Sequence, residues 1–224
     1  MRDDRFEVVI SDKSPELLII TPLRKDDKIQ SDCKDSIVSQ NINKVWVSFQ
    51  SKKSASYNRI EGYKKVKSFL RKNLPPYILF CDGDIVWAIN SFSKMIDTLK
   101  QTEDDIGYCY CNFEYKGFRN FKFPARPFDS KLLVQRNYIS TMSIQKMSHW
   151  KKYGRLDLNL DRYQDWDLWL SYLLNYSIIG IPCFSAHFYA ISTEKDISMR
   201  PDENFKNLKK LIKKYKLPIL LGED

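Results

Sequence analysis

The sequence predicts an α/β domain: a mostly parallel central sheet with helices on both faces. Three observations predict it. Short apolar runs alternate with stretches of helical period. The runs are continuous rather than alternating, as strands covered on both faces must be. One of them is followed at once by Asp82-Gly83-Asp84, at the strand end where open α/β sheets bind their ligands.

Leu17-Leu-Ile-Ile-Thr21, closed by Pro22, is the first buried strand. A polar helical stretch runs to about Asn41, and Lys44–Phe49 is the second strand. Ser56–Lys72 has helical periodicity and is stopped by Pro75-Pro76, after which Tyr77–Cys81 is the third strand. Ala88–Leu99 is expected as helix and Ile106–Tyr115 as strand. The aromatic, proline-containing tract 116–130 lacks a period and is expected as a loop over the site. Asp165–Tyr176 is a helix, and 177–191 holds one or two closing strands. The basic segment from residue 201, with Phe205, Leu208, Leu211, Ile212 and Tyr215 at helical spacing, is expected to pack as a C-terminal helix and tail (201–224) on a domain spanning 1–200.

At 224 residues, 43% hydrophobic and 29% charged, the chain can bury one substantial core. No run approaches the ~20 apolar residues that span a bilayer, and the first residues lack a secretory pattern, so a cytoplasmic protein is expected. Cys33, Cys81, Cys109, Cys111 and Cys183 are odd in number and sit among apolar neighbours, which suits reduced, buried thiols. The net charge of +9 admits nucleic acid, an anionic membrane surface or a phosphorylated small molecule as partner. Much of the excess lies in the C-terminal helix, whose lysines either sit in water or touch anionic lipid at a peripheral membrane surface. No nucleic-acid recognition motif is present, so no nucleic-acid partner is expected.

Three places carry chemistry. Asp82 and Asp84, one residue apart around Gly83, suit a hard divalent cation that shares oxygens with a pyrophosphate; an acidic turn explains the tripeptide equally well. In Gln164-Asp165-Trp166-Asp167-Leu168-Trp169-Leu170, two carboxylates open a helix beside two tryptophans. First-turn acids are ordinary capping, but aromatic faces also line sugar pockets, and a carboxylate there can take a proton from a hydroxyl. At the first strand's end, Thr21-Pro22-Leu23-Arg24-Lys25 offers backbone groups to a planar base and a cation to phosphates, with Arg59 a further phosphate candidate.

These motifs, in this order, resemble the family-2 inverting glycosyltransferases of the nucleotide-diphospho-sugar transferase (GT-A) fold. The resemblance runs from about Leu17 to Ser198 and takes in Leu132–Ser140, similar to the family's segment beneath the donor sugar, and Gly180–Tyr189. It implies a nucleotide-sugar donor, a UDP-sugar first, a glycan or other hydroxyl acceptor, and Mn2+ or Mg2+. By it, Asp84 is the principal metal ligand, Asp82 meets the metal or donor ribose, and Asp165 is the general base. Thr21, Pro22, Leu23, Arg24, Arg59 and Gly83 fall at the donor, while Asn137, Trp166 and Asp167 fall in the acceptor or sugar pocket. His187 is the candidate for a further metal ligand. Two positions depart from the pattern. Phe49-Gln50-Ser51-Lys52-Lys53 stands where the family carries an acidic turn that reads uracil, and Gln164 stands where it carries Glu.

Two readings compete. Phe80–Val86 also matches the haloacid-dehalogenase phosphatase signature, with Asp82 as nucleophile and Asp84 as acid/base. That motif normally opens the chain, and here some eighty residues precede it. The other is a non-catalytic basic binding domain, in which paired carboxylates would repel phosphate.

Overall fold

In the computed structural model, which describes residues 4–118, 120–192 and 201–218, a nine-stranded mixed sheet carries helices on both faces. In chain order the elements are β1 (Arg5–Ser11), β2 (Leu17–Arg24), α1 (Ser31–Val38), β3 (Lys44–Ser51), α2 (Ala55–Leu70), β4 (Tyr77–Phe80), β5 (Ile85–Trp87), α3 (Ser91–Lys100), β6 (Ile106–Gly117), β7 (Phe121–Phe123), α4 (Ser130–Gln135), β8 (Ile144–Lys146), α5 (Met147–Tyr153), α6 (Gln164–Tyr176), β9 (Ile179–Ser192) and α7 (Pro201–Tyr215). The strands lie in the order β1-β3-β2-β4-β8-β6-β9-β5, with β7 added to β6. β3, β2 and β4 are parallel to one another, as are β6 and β9, while β1, β5, β7 and β8 run against their neighbours.

Period-two alternation divides the core between the two faces. Leu18, Ile20, Val45, Val47, Ile78 and Phe80 point toward α2, α5, α6 and α7. Leu17, Ile19, Trp46, Tyr77 and Leu79 point toward α1 and α3. Both sets are buried, which is why these strands read as unbroken apolar runs.

Pro22 does not end its strand. β2 pairs with β3 through Arg24, but with β4 only through Ile20. The Ile20 carbonyl faces β4, accepting from Cys81 N, so Pro22, two residues on, also faces β4's side. The ladder has already stopped there, and the missing N–H costs nothing.

The departure of β4 at the same level shapes the site. The chain leaves mid-sheet after Phe80, runs through Cys81–Asp84, and rejoins as β5 at the far edge beside β9.

Several short elements differ from the expectation. β1 is a half-exposed edge strand whose apolar run, Val8-Val9-Ile10, is shorter than those of the buried strands. α3 begins at Ser91 rather than Ala88, because Ile85–Trp87 is a strand and Asn90 turns the chain at a left-handed φ of 59°. Part of the expected loop 116–130 is ordered: β7 folds back on β6, and α4 is capped by the Asp129 side chain accepting from Leu132 N at 2.9 Å. All five cysteines are buried free thiols.

α7 packs on the face that carries α6. Leu211 is fully buried, Lys214 Nζ lies 2.7 Å from Asp167 Oδ1, and the Tyr215 hydroxyl donates to the same carboxylate at 2.9 Å. The expected tail beyond residue 218 and the segment 193–200 lie outside the described residues. Asp167 is 1% exposed, so removing its partners or its charge leaves the other side uncompensated. Because Lys214 is half-exposed, the expected cost of Asp167→Ala is discounted to about 2–3 kcal/mol. A melting temperature lower by roughly 5–10 °C in a thermal scan checks it.

Candidate active site

The carboxyl ends of β2 and β4, the Cys81–Asp84 crossing and the start of α6 frame a cleft of about 680 Å³. One wall is Pro22, Leu23 and Arg24 with Asp26, Asp27 and Lys28 from the following loop. Ala55 and Asn58 of the α2 region adjoin it. Asp82, Gly83 and Asp84 cross the cleft, Ser140, Thr141 and Met142 line it from the segment before β8, and Asp165 enters from α6. Phe113, Tyr115, Phe188 and Ala190 form an aromatic side on β6 and β9.

The loop after β2 is held by hydrogen bonds rather than by secondary structure. Gln50 Nε2 donates to the carbonyls of Arg24, Lys25 and Asp27, each at 2.9 Å. Asp27 accepts from Arg24 N at 3.0 Å, and Asn58 Nδ2 donates to the Leu23 carbonyl at 2.7 Å. Gln30 N donates to the Gly83 carbonyl at 2.9 Å, which fastens the loop to the acidic crossing. A side chain at Gly83 would meet Leu23 Cδ2 at 3.2 Å and the Lys28–Ile29 backbone at 3.4 Å, so glycine is what lets the two segments close on each other. Gln50, in the stretch that departs from the family's acidic turn, shapes the wall.

Beneath the cleft lies Arg59, 4% exposed. Its Nη2 pairs with Asp82 Oδ1 at 2.7 Å and its Nη1 donates to Gln164 Oε1 at 2.9 Å. Gln164 in turn donates to the Leu160 carbonyl at 2.8 Å. A guanidinium from α2 thus joins the end of β4 to the first residue of α6.

Asp165 follows Gln164 directly and is half-buried at the cleft. It accepts from Trp166 N at 2.8 Å and from the Asn137 side chain. Burial pushes its carboxyl above the ordinary carboxylate range, against these hydrogen bonds and the Arg59 charge, which pull it down. A carboxylate raised in this way is a better proton acceptor than a free one.

Pro22, Leu23, Arg24, Asp82, Gly83, Asp84 and Asp165 therefore meet in one cleft. Six other expected site residues do not line it. Thr21 is buried behind β2, its hydroxyl accepting from Trp46 Nε1 at 2.9 Å. Arg59 spends its guanidinium on Asp82 and Gln164 instead of facing a phosphate. Asn137 holds Asp165. Trp166 is buried and donates to the Leu133 carbonyl, and Asp167 is buried against α7, because the helical turn carries positions 166 and 167 away from the face that holds 165. His187 pairs with Glu114 at 3.2 Å; period two on β9 gives Phe188 and Ala190 to the cleft and turns His187 away. Among the described residues no group of three or more His, Cys, Asp or Glu side chains gathers into a metal cage.

Asp26, Asp27, Lys28, Asn58 and the aromatic side were not expected. Asp26 and Asp27 sit in a polar stretch like any solvated loop. Phe113 and Tyr115 look like core residues until β7 shows which face is open.

No protein-family model and no curated protein sequence matches the chain. Solved structures do. Staphylococcus aureus TarS 1–349 in complex with UDP superposes at a TM-score of 0.57 and 12% identity, covering 93% of this chain and 67% of that one. The mannosyltransferase PcManGT from Pyrobaculum calidifontis, in complex with GDP-Man and Mn2+, gives 0.58 and 10%, covering 92% and 68%. Against a longer TarS chain the TM-score is 0.55 at 13% identity, and the present chain, 89% covered, spans only 39% of its length. The fold is glycosyltransferase-like.

The raised Asp165 gives a stability prediction with a definite sign. An acid raised on folding opposes the folded state once it ionises. The penalty is absent below the unfolded carboxylate range and grows as pH rises through it toward the folded value. Asp165→Asn should therefore match wild type in urea unfolding near pH 4 and exceed it near pH 7. A stability difference that does not grow with pH would contradict the assignment.

Proposed function

We propose that the chain is an inverting glycosyltransferase that moves a sugar from a nucleoside-diphosphate sugar to an acceptor hydroxyl, dependent on Mn2+ or Mg2+. The observation that carries the reading is that Asp82-Gly83-Asp84 and Asp165, from separate elements, face one cleft at the carboxyl edge of a glycosyltransferase-like fold. The two similar structures solved with UDP and with GDP-Man and Mn2+ support a nucleotide-sugar donor and a divalent ion. A UDP-sugar is the donor we place first.

The residues fit a hard cation. Among the described residues, Asp26, Asp27, Asp82, Asp84 and Asp165 line the cleft with Arg24 and Lys28, and Arg59 behind it pairs with Asp82. A divalent ion would let a diphosphate approach these carboxylates. Asp84 and Asp82 would supply carboxylate oxygens of the kind such an ion takes. When bound, the ion stabilises the charge that develops on the departing diphosphate.

The chain's own residues do the rest. Pro22, Leu23 and the clamped loop hold the nucleoside, and Arg24 and Lys28 meet phosphate charge. Asp165 takes the proton of the acceptor hydroxyl, which is a poor nucleophile while protonated, a contribution typically of about 10²–10⁴-fold. Attack from the face opposite the leaving diphosphate inverts the anomeric carbon without a covalent sugar intermediate. Asn137 holds the base in place.

The phosphatase signature normally sits on the first strand of its domain, whereas Asp82 follows β4, with three strands and two helices before it. No helix among the described residues is long and apolar enough to cross a membrane. If the chain meets an anionic membrane surface, the exposed Lys206, Lys209 and Lys213 of α7 are the residues that would touch it, since Lys210 and Lys214 bond inward.

With UDP- and GDP-sugars, Mn2+ and a competent acceptor, proton NMR should show a product of inverted anomeric configuration. Asp165→Asn should lower turnover by about 10²-fold or more with donor affinity little changed. Near-wild-type turnover would remove Asp165 from the chemistry, and a retained anomer would overturn the inverting mechanism.

A further inference from the structure

Gln164, which stands where the family pattern has Glu, has two partners in the interior. Its side chain is buried at the first position of α6. Oε1 accepts from Arg59 Nη1 at 2.9 Å, and Nε2 donates to the Leu160 carbonyl at 2.8 Å. The preceding Tyr163 turns the chain at a left-handed φ of 60°, and its side chain makes no capping hydrogen bond. The Gln164 amide therefore ties the first turn of α6 across to α2 and back to the segment that leads into it. Asp165, the next residue, leaves that turn for the cleft, where Trp166 N and the Asn137 side chain hold its carboxylate.

The residue type follows from the two partners. Arg59 needs an acceptor and Leu160 needs a donor, and an amide is both. A glutamate would answer Arg59 but set a carboxylate oxygen against the Leu160 carbonyl. A methionine of similar length would answer neither, and would leave a buried guanidinium N–H without its partner. Charge separates the two amide partners' alternatives further. Arg59 pulls on Asp165 from α2, Asp82 and Asp84 line the same cleft from the acidic crossing, and Arg136 adjoins Asn137 in the chain. Asp161 and Arg162 precede α6, while Asp167 is turned away and paired with Lys214. A carboxylate at 164 would add a negative charge one residue from Asp165.

We propose that Gln164 is a positioning residue for the proton acceptor: its amide fixes the turn that presents Asp165, and its neutrality keeps a further negative charge away from the carboxylate that must take the proton. This rests on the transferase reading of the cleft.

The test compares wild type with Gln164→Glu and Gln164→Met in the full chain, with melting temperatures to report that each variant folds. Carboxyl-carbon NMR of aspartate-labelled, metal-free protein follows Asp165 itself, its signal identified by its loss in Asp165→Asn. In Gln164→Glu the Asp165 titration midpoint should rise by about half a pH unit or more, because a like charge disfavours ionisation. With a nucleotide sugar and Mn2+, the acid limb of the pH profile of turnover should move upward with it, recovering toward wild type at high pH. Gln164→Met should lower turnover about tenfold or more across the pH range while nucleotide affinity changes less than about threefold, since the cleft groups that meet the donor keep their places. An unmoved Asp165 midpoint in Gln164→Glu, or wild-type turnover in Gln164→Met, overturns the proposal. A loss of turnover in Gln164→Met matched by an equal loss of nucleotide affinity marks a merely structural role and also overturns it. If wild type transfers no sugar while the Asp165 midpoint still rises in Gln164→Glu, the transferase reading fails and the hold of position 164 on Asp165 stands.

Discussion

A buried guanidinium must be answered by an anion and by hydrogen-bond acceptors, and in this chain that requirement joins the two halves of the site. Arg59 is carried into the interior by α2, where burying its charge alone would cost several kcal/mol. Asp82 answers the charge and Gln164 accepts the second hydrogen bond. The acidic crossing after β4 and the first turn of α6 are thereby fixed to one planar group, although 81 residues of chain lie between Asp82 and Gln164. Asp165 inherits its position from this tie. Because Gln164 is neutral, Asp82 is the anion that answers the guanidinium, and Arg59 also pulls the Asp165 carboxyl down against the larger upward push of burial.

The rest of the cleft follows a similar economy of constraint. Gln50 gathers three carbonyls of the loop after β2, and Gly83 allows that loop to lie against the acidic crossing. The wall that would hold a nucleoside is thus set by side-chain hydrogen bonds before any ligand arrives, which lowers the ordering cost of binding. On the proposed function, a cation would bring a phosphate ligand to the carboxylates gathered there.

Much of this was legible in the chain. The buried strands β2, β3 and β4 announce themselves because both faces are covered, and Asp82-Gly83-Asp84 is readable because it follows such a strand directly. Asp165 was legible from its place at a helix start. What stayed hidden depends on contacts between distant segments. Arg59 looks like any surface arginine until α2 turns it inward. Asp167 and Trp166 look like partners of Asp165, yet a helix separates neighbours by about 100°, and they belong to the core. His187 was attractive as a ligand type, but one-residue register on β9 decides which face it takes. The aromatic side of the cleft needed the register of β6 against β9, which sets Phe113 beside Phe188.

On the proposed function, the acidic crossing binds a diphosphate only together with a divalent ion. Calorimetric titration of UDP and GDP, with Mn2+ and with chelator, into wild type and Asp84→Ala tests it most directly. Measurable affinity for at least one nucleotide is expected in wild type with Mn2+, falling in Asp84→Ala to the level seen with chelator. Equal affinity with and without the ion, or undiminished Mn2+-enhanced binding in Asp84→Ala, would contradict it.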